Sequence, residues 1–525
     1  MTTTRINPYD TRDPAGAQRG GGDSQRVAGL LDAVLGATQD QDGAPRRVEA
    51  ERGSSGGRSL EAALRWYLRL NPGGPPPAGK AQLMRRINGD IAAIDRVLGR
   101  QLNAVLHHPR FQKLEASWRG LQYLTRQLDP QSHVHLRVLN VSWSALLRDF
   151  DRAIEFDQSQ LFRKVYSQEF GTSGGEPFSV LLGDYSIRRQ PQPGAPTDDI
   201  EGLRQVSQVA AAAFCPFIAS VDPTMFGLDS FGELERPMDL RRIFRQPEYI
   251  KWRRLREAED SRFLGLTLPR ILMRLPYRND GSRADAFTFE EDVAGEDASK
   301  YLWGAAVYAF GAVLLRAFRQ SGWLADIRGV RQDADGGGLA PGLPTPFFRT
   351  DRPGIAARFS TDFIISPELE HDLCQLGFLP LCVCPDGDAA AFYSNSSIQL
   401  AKKFDSEFAT ANAKISSMLQ YLLCVSRVAH FVKVIGRAKV GSFLEPSQCE
   451  SFLNEWLHRY VMQNDDATAE IKAKYPLRDA NVQVRAYPGK PGSYYCIIRM
   501  QPHFQFDELA TSIQLTTELT PAAPG

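Results

Sequence analysis

The residues best suited to hold a metal are His371, Cys374, Cys382 and Cys384, spaced H-x2-C-x7-C-x-C. Imidazole and thiolate are donors that zinc accepts, but structural zinc sites pair one Cys-x2-4-Cys with a second pair at a distance. Here Cys382 and Cys384 belong to the apolar run around Leu379–Val383, where strand alternation turns both to one face. A free cysteine packs as a small hydrophobe, so core packing competes with ligation. An α/β zinc-dependent enzyme using His371 and the nearby cysteines is the alternative reading that would put them to catalytic use. His107-His108-Pro109 closes a helical pattern, where an imidazolium can satisfy terminal carbonyls and the helix dipole. Asp335-Gly-Gly-Gly-Leu339 has the glycines of a phosphate loop but neither the Gly-Lys-Ser/Thr ending nor a following helix, so a flexible loop is expected. Neither G-x-S-x-G nor H-E-x-x-H occurs.

Between Arg241 and Arg262, seven cations (Arg241, Arg242, Arg245, Lys251, Arg253, Arg254, Arg256) interleave with Phe244, Tyr249 and Trp252. Such interleaving can bind single-stranded nucleic acid. However, Glu248, Glu257, Glu259 and Asp260 offset the charge, and Trp252 with Leu255 forms a packing face. A solvated amphipathic helix or a charged subunit interface is expected, with Glu290-Glu291-Asp292 as a complementary acidic surface. No catalytic, cofactor-binding or metal constellation emerges, so the chain is expected not to be an enzyme.

Composition points the same way. The 525 residues exceed one ordinary hydrophobic core, so several domains are expected. Apolar residues make up 43% and charged residues 23%, as in globular proteins. Sixty-two basic and 61 acidic side chains leave a net charge of +1, without the excess of a dedicated nucleic-acid binder. The N-terminus lacks the apolar core of a secretory signal, and no run approaches the roughly 18 apolar residues of a membrane span. Seven cysteines without a signal read as reduced thiols. A cytoplasmic protein with no membrane insertion is expected.

Three regions follow along the chain. Residues 1–80 are a Gly- and Pro-rich segment with one amphipathic island: Val27, Leu30, Leu31, Val34 and Leu35 stand at i, i+3, i+4, i+7 and i+8. A short helix with no core of its own suits either docking at home or helix-in-groove recognition by another protein. Residues 81–395 form the main α/β body. Leu83 to Val105 reads as one long helix stopped by Pro109, and Phe111–Leu128 as a second. Val134–Val141, Phe178–Leu182 and Phe217–Val221 read as strands, with helices at Ser144–Phe156, Leu161–Phe170 and Ile200–Ala213. Residues 396–525 form a C-terminal domain. Ala411–Ile435 reads as one buried helix, and Ser447 with Glu450 as a capping box opening the next. Three strands close the chain: Asn481–Tyr487, Tyr494–Met500 and Leu509–Leu519. The fold class is therefore mixed α/β and multi-domain, with a small open-edged C-terminal sheet flanked by helices. Exposed sheet edges invite strand addition from another chain.

Several segments resemble the large subunit of the type VI secretion contractile sheath, the TssC/VipB family. They include His107-His-Pro-Arg-Phe-Gln-Lys-Leu-Glu-Ala-Ser-Trp-Arg-Gly-Leu121, Gly174-Gly-Glu-Pro-Phe178, Glu259-Asp-Ser-Arg262 and Gly265-Leu-Thr-Leu-Pro-Arg270. Tyr301-Leu-Trp-Gly304, Gly336-Gly-Gly-Leu339, Ala409-Thr-Ala-Asn412 and Arg499-Met-Gln-Pro-His-Phe504 continue the match. The resemblance implies a contractile-tail-sheath-like fold and a structural role. Large and small subunits (the latter of TssB/VipA type) form a helical polymer around an inner tube of Hcp, attached to a baseplate. It also implies that neighbouring subunits add strands to the C-terminal sheet. Val482, Val484, Ile497, Ile513, Leu515 and Thr517 are the residues expected in that shared sheet. A ClpV-type ATPase is expected to recognise the Val27, Leu30, Leu31, Val34 and Leu35 stripe. A paralogous sheath-like accessory subunit would carry the same signatures.

Overall fold

The structure is a computed structural model. It describes residues 3–6, 67 and 79–519, apart from 173, 281–286, 294–296, 331–335, 346–358, 385–388, 440–445, 465, 487–493 and 504–512. The chain divides into two compact units, residues 7–98 and residues 1–6 with 99–525. The island Val27–Leu35 lies outside the described residues.

In the smaller unit, the Tyr67 hydroxyl donates to the Asp90 carboxylate. Asp90 belongs to helix α1 (Lys80–Leu106). Of the apolar stripe that reads as this helix, Ile91, Ile94 and Leu98 are exposed, while Leu83 and Ile87 are half-buried.

In the larger unit, β1 (Thr3–Ile6) pairs antiparallel with β2 (Leu136–Leu139). Helix α2 (Pro109–Gln127) starts where Pro109, with its fixed φ, occupies the first turn. His108 caps that start, its Nδ1 accepting from Arg110 N at 3.3 Å. The long helix α1 does end at Leu106, just before His107-His108-Pro109, as expected; His108 also opens the next helix, and the His107 ring turns to Glu291, its Nε2 3.4 Å from the carboxylate. Helix α3 (Trp143–Arg152) is capped by Ser142. The helix expected at Leu161–Phe170 contains a π-turn at Arg163–Ser167 between two short α-helical turns.

The main sheet has six strands: β3 (Leu181–Ile187), β4 (Phe217–Val221), β5 (Leu264–Leu268), β8 (Leu339–Ala340), β9 (Leu379–Val383) and β10 (Ala390–Phe392). Their spatial order is β3-β4-β5-β9-β10-β8. The first four run parallel, and β10 is antiparallel to β9 and to β8. A separate ribbon joins β6 (Ile271–Leu272) to β7 (Trp303–Gly304). Parallel neighbours need crossovers. Helix α4 (Asp199–Ala212) supplies the one between β3 and β4, and α5 (Ile250–Glu257) lies between β4 and β5. β4 and β5 are buried along their whole length, which explains their continuous apolar character. β3 begins three residues later than Phe178–Leu182 suggests; Phe178 instead lies 5.1 Å beneath the Arg137 guanidinium. Helix α6 (Val307–Ser321) is buried nearly all round, and α7 (Pro367–Gln375) leads into β9.

The C-terminal part corrects a second expectation. Ala411–Ile435 is two helices, α8 (Glu407–Ser416) and α9 (Leu419–Lys439). The break falls where Met418 forms a bridge with Ser396 and Leu419 N donates to Asn395 O at 2.8 Å, so tertiary backbone bonds override the apolar pattern. Helices α10 (Pro446–His458) and α11 (Ala469–Lys474) precede β11 (Leu477–Ala486), β12 (Tyr494–Pro502) and β13 (Ile513–Leu519). These strands form one antiparallel sheet in the order β11-β12-β13. A second hydrophobic core joins Val428, Val432, Leu453 and Leu457 to Val482, Val484 and Ile498. The Leu419–Gly436 window is long and apolar enough to cross a membrane, yet 67% of it is buried inside the fold, as in a core helix.

Candidate functional site

The C-terminal sheet brings the six expected assembly residues together. Val482 stands opposite Ile498 and Val484 opposite Cys496, with all four side chains buried on the face covered by helices. Ile497 is half-buried on the opposite face, level with Gln483. Ile513, Leu515 and Thr517 pair with Met500, Ile498 and Cys496 of β12. β13 is the last strand, and among the described residues none pairs with its outer side.

Two polar residues of α10 bond to this sheet, Asn454, which the sequence does not single out, and Glu450, expected as a cap. Asn454 Nδ2 donates to Val482 O at 3.0 Å, and Val482 N donates to Asn454 Oδ1 at 2.9 Å. Val484 N donates to Glu450 Oε2 at 2.9 Å. The helix begins at Pro446, and Glu450 reaches the sheet, so the expected capping box at Ser447 is corrected: this carboxylate is committed to β11. The available signal was two polar residues four apart beside the buried Leu453 and Leu457, hence on neighbouring turns of one face.

The metal candidates do not converge. His371 is exposed on α7, Cys374 Sγ lies 3.2 Å from Ser396 Oγ, and Cys382 is buried in the sheet. Burial, with help from Glu370, pushes the Cys382 thiol up to about 12, which keeps it protonated and a poor ligand. Among the described residues no three His, Cys, Asp or Glu side chains are grouped to hold a metal. The glycine loop is the inverse of a phosphate cradle: the carbonyls of Gly337 and Leu339 accept from the buried Arg316 guanidinium. Gly338 packs so closely on β10 that a Cβ there would meet Phe392 O at 2.0 Å.

Four of the seven cations in the basic-aromatic segment are engaged within the fold. Arg241 pairs with Asp372 at 2.8 Å, Lys251 with Asp198 at 2.5 Å, and Arg253 donates to the carbonyls of Phe244 and Gln246. Arg256 donates to Gln375 O and Ile398 O, while Phe244, Tyr249 and Trp252 are buried. Glu291 is likewise no surface acid. It is buried against Arg274 (2.5 Å), which also reaches Glu115 at 2.8 Å.

That ionic cluster explains much of the His107–Leu121 signature. Glu115 also accepts from Arg119 at 2.7 Å, and Arg119 reaches the Tyr277 hydroxyl at 3.0 Å. Burial opposes ionisation of Glu115, but Arg274 and Arg119 outweigh it and hold the carboxyl below its usual range. Gly120 admits the Tyr308 ring of α6, which a Cβ would meet at 2.4 Å. On the other side of α2, Phe111, Leu114 and Trp118 are exposed, Trp118 at 66%.

Comparison with known proteins places these features. Residues 88–399 match the VipB family, described as EvpB/VC_A0108, tail sheath N-terminal domain. Residues 408–519 match VipB_2, described as EvpB/VC_A0108, tail sheath gpW/gp25-like domain. A curated relative, "Type VI secretion system sheath protein TssC1" of Pseudomonas aeruginosa (strain PAO1), is 40% identical over 444 residues, which is 84% of this chain and 87% of the relative. Among solved structures, a chain of the anti-feeding prophage baseplate aligns over 61% of this chain and 70% of its own. Its identity is 9% and its TM-score 0.30, too remote a likeness to bear on fold or function. The two sheath-domain matches span the body and the C-terminal sheet, and the full-length relative agrees: this chain belongs to the TssC/VipB family of type VI secretion sheath proteins.

Proposed function

We propose that this chain is the large subunit of a type VI contractile sheath, working by assembly and not by catalysis. It pairs with a small subunit of TssB/VipA type, and the pairs stack into a helical tube around an Hcp inner tube. The tube stands on a baseplate in the cytoplasm, and its contraction drives the inner tube outward. The observation that carries this reading is a C-terminal sheet, within the matched sheath domain, whose last strand has no neighbour on its outer side among the described residues. Such an edge accepts a strand through main-chain hydrogen bonds. Backbone ladders then tie neighbours together while the packed bodies turn as rigid units. Thr3–Ile6 lies on β2 of its own chain, so lending that segment to a neighbour requires its release. A ClpV-type ATPase recognises the Val27–Leu35 stripe and takes the contracted sheath apart.

Co-expression with the small-subunit gene, followed by electron microscopy, tests the reading. Regular tubules containing both chains are expected. Two separately purifying, non-assembling chains would overturn it.

A further inference from the structure

One apolar side chain stands clear of the fold. Ile154 is 89% exposed, the most of any large apolar residue among the described ones. A single exposed aliphatic is ordinary on a protein surface, but this one sits on a loop pinned at both ends. On one side, Ala153 N donates to the carbonyls of Asp149 and Phe150, closing α3. On the other, Phe156 packs against the main core and Leu161 N donates to the Asp149 carboxylate at 3.1 Å. A loop held this way presents Ile154 with little left to order on contact. Around it Asp151, Glu155 and Asp157 are exposed acids, against the single exposed cation Arg152.

A cleft of about 310 Å³ elsewhere on the same chain has the matching character. Glu259 and Arg262 of the body line it, with Lys402 and Phe404 of the link between the two matched domains and Ala409 and Ala413 of α8. Phe404, Ala409 and Ala413 make one side apolar, and the lining carries two cations against one acid. Lys402 holds Glu259 at 3.1 Å, whereas Arg262 gives its Nε to the Glu259 carbonyl and meets the carboxylate only at 4.0 Å. That distance is too long for a hydrogen bond, so an incoming carboxylate can take the outer nitrogens of Arg262. Outside the lining, exposed Lys403 and Lys414 are balanced by Asp405 and Glu407.

Ile154 does not fill the cleft of its own chain, since it is almost wholly exposed, yet every copy carries both halves. A contact between two unlike patches does not close within a pair. It runs head to tail and, repeated, builds a helical filament. We propose that Ile154 of one copy enters the cleft of a second copy against Phe404, Ala409 and Ala413, with Glu155 beside Arg262. This rests on the sheath-assembly reading and gives the polymer a side-chain joint between large chains that owes nothing to strand sharing.

Cross-linking of the full chain in co-assembled tubules tests the joint. A chain carrying both Ile154→Cys and Ala409→Cys, treated with a short bismaleimide, should run as a denatured ladder of dimers, trimers and higher species. Mass spectrometry should find residues 154 and 409 joined. Each single variant controls for the native cysteines and should give no ladder. Ile154→Asp should lower tubule yield at least about tenfold with an unchanged unfolding transition, and Ile154→Leu should keep it. Tubules of the double-cysteine chain without the 154–409 link would overturn the proposal, as would normal tubule yield from Ile154→Asp. If the unaltered chain forms no tubules with the small subunit, the sheath reading fails instead. The same cross-link is then sought on the double-cysteine chain concentrated alone, where a 154–409 ladder upholds the joint and its absence overturns it.

Discussion

His430 shows how a single side chain couples the two cores to pH. It is buried on α9, its Nε2–H donating to the Ala213 carbonyl at 2.9 Å, with the Phe170 ring 5.6 Å away. Burial, with Lys433 and Arg427 nearby, pulls the imidazole down to about 4. An unfolded histidine titrates near 6.5, so between about pH 6.5 and 4 the unfolded chain binds more protons than the folded one. Stability falls as pH drops through this window, by on the order of 3 kcal/mol in total for this group. In His430→Gln, which keeps an N–H donor, denaturant unfolding at pH 7.5 and 4.5 should show that much less acid sensitivity. An unchanged pH dependence would place the proton elsewhere. The Arg274 cluster makes a second residue-scale prediction. Replacing Arg274 by Met leaves the buried Glu291 with only His107 beside it, while Glu115 keeps Arg119. Breaking a buried pair from one side costs about 3 to 5 kcal/mol. Arg274→Met, Glu291→Leu should recover a large part of that loss in the same unfolding measurement.

At the scale of elements, β13 ends the C-terminal sheet, paired with β12 and in contact with α9. The described residues of the second core come mainly from α9, α10, β11 and β12. Deleting residues 509–519 should leave a chain that still folds, with near-native circular dichroism, but forms no tubules with the small subunit. Normal tubules from the deletion would refute a role for this strand in assembly. The elements also show what a sequence discloses. Phe217–Val221 is legible to the residue, because a fully buried strand is an uninterrupted apolar run bounded by Pro and Asp. The join between α8 and α9 is not legible. Ser417 and Met418 fit the helical pattern, and only their backbone bonds to Ser396 and Ser397 interrupt it. Periodicity gave α1 as a helix, but it could not show that Ile91, Ile94 and Leu98 stand exposed, since that depends on other surfaces. That Val482 and Val484 share a face was legible from alternation, whereas the bonds of Asn454 to β11 were not. Those bonds depend on Asn454 meeting a backbone 28 residues away.

At the scale of the whole molecule, residues 88–399 match one sheath domain and residues 408–519 another, and the proposed recognition stripe lies in the N-terminal segment apart from both. Assembly and disassembly are then distinct surfaces. Leu31→Asp with Leu35→Asp should leave tubule formation intact and weaken binding of a ClpV-type ATPase by at least about tenfold in a pull-down or titration. Equal binding would move the recognition stripe elsewhere. The central claim is that sheath subunits are tied by a strand received at the C-terminal sheet. A cryo-electron microscopy map of the co-expressed tubules tests it most directly. Strand density from a neighbouring subunit is expected beside residues 513–519, with Asn454 and Glu450 still bonded to β11. A tubule whose C-terminal sheet contains only β11, β12 and β13 of a single chain would contradict it.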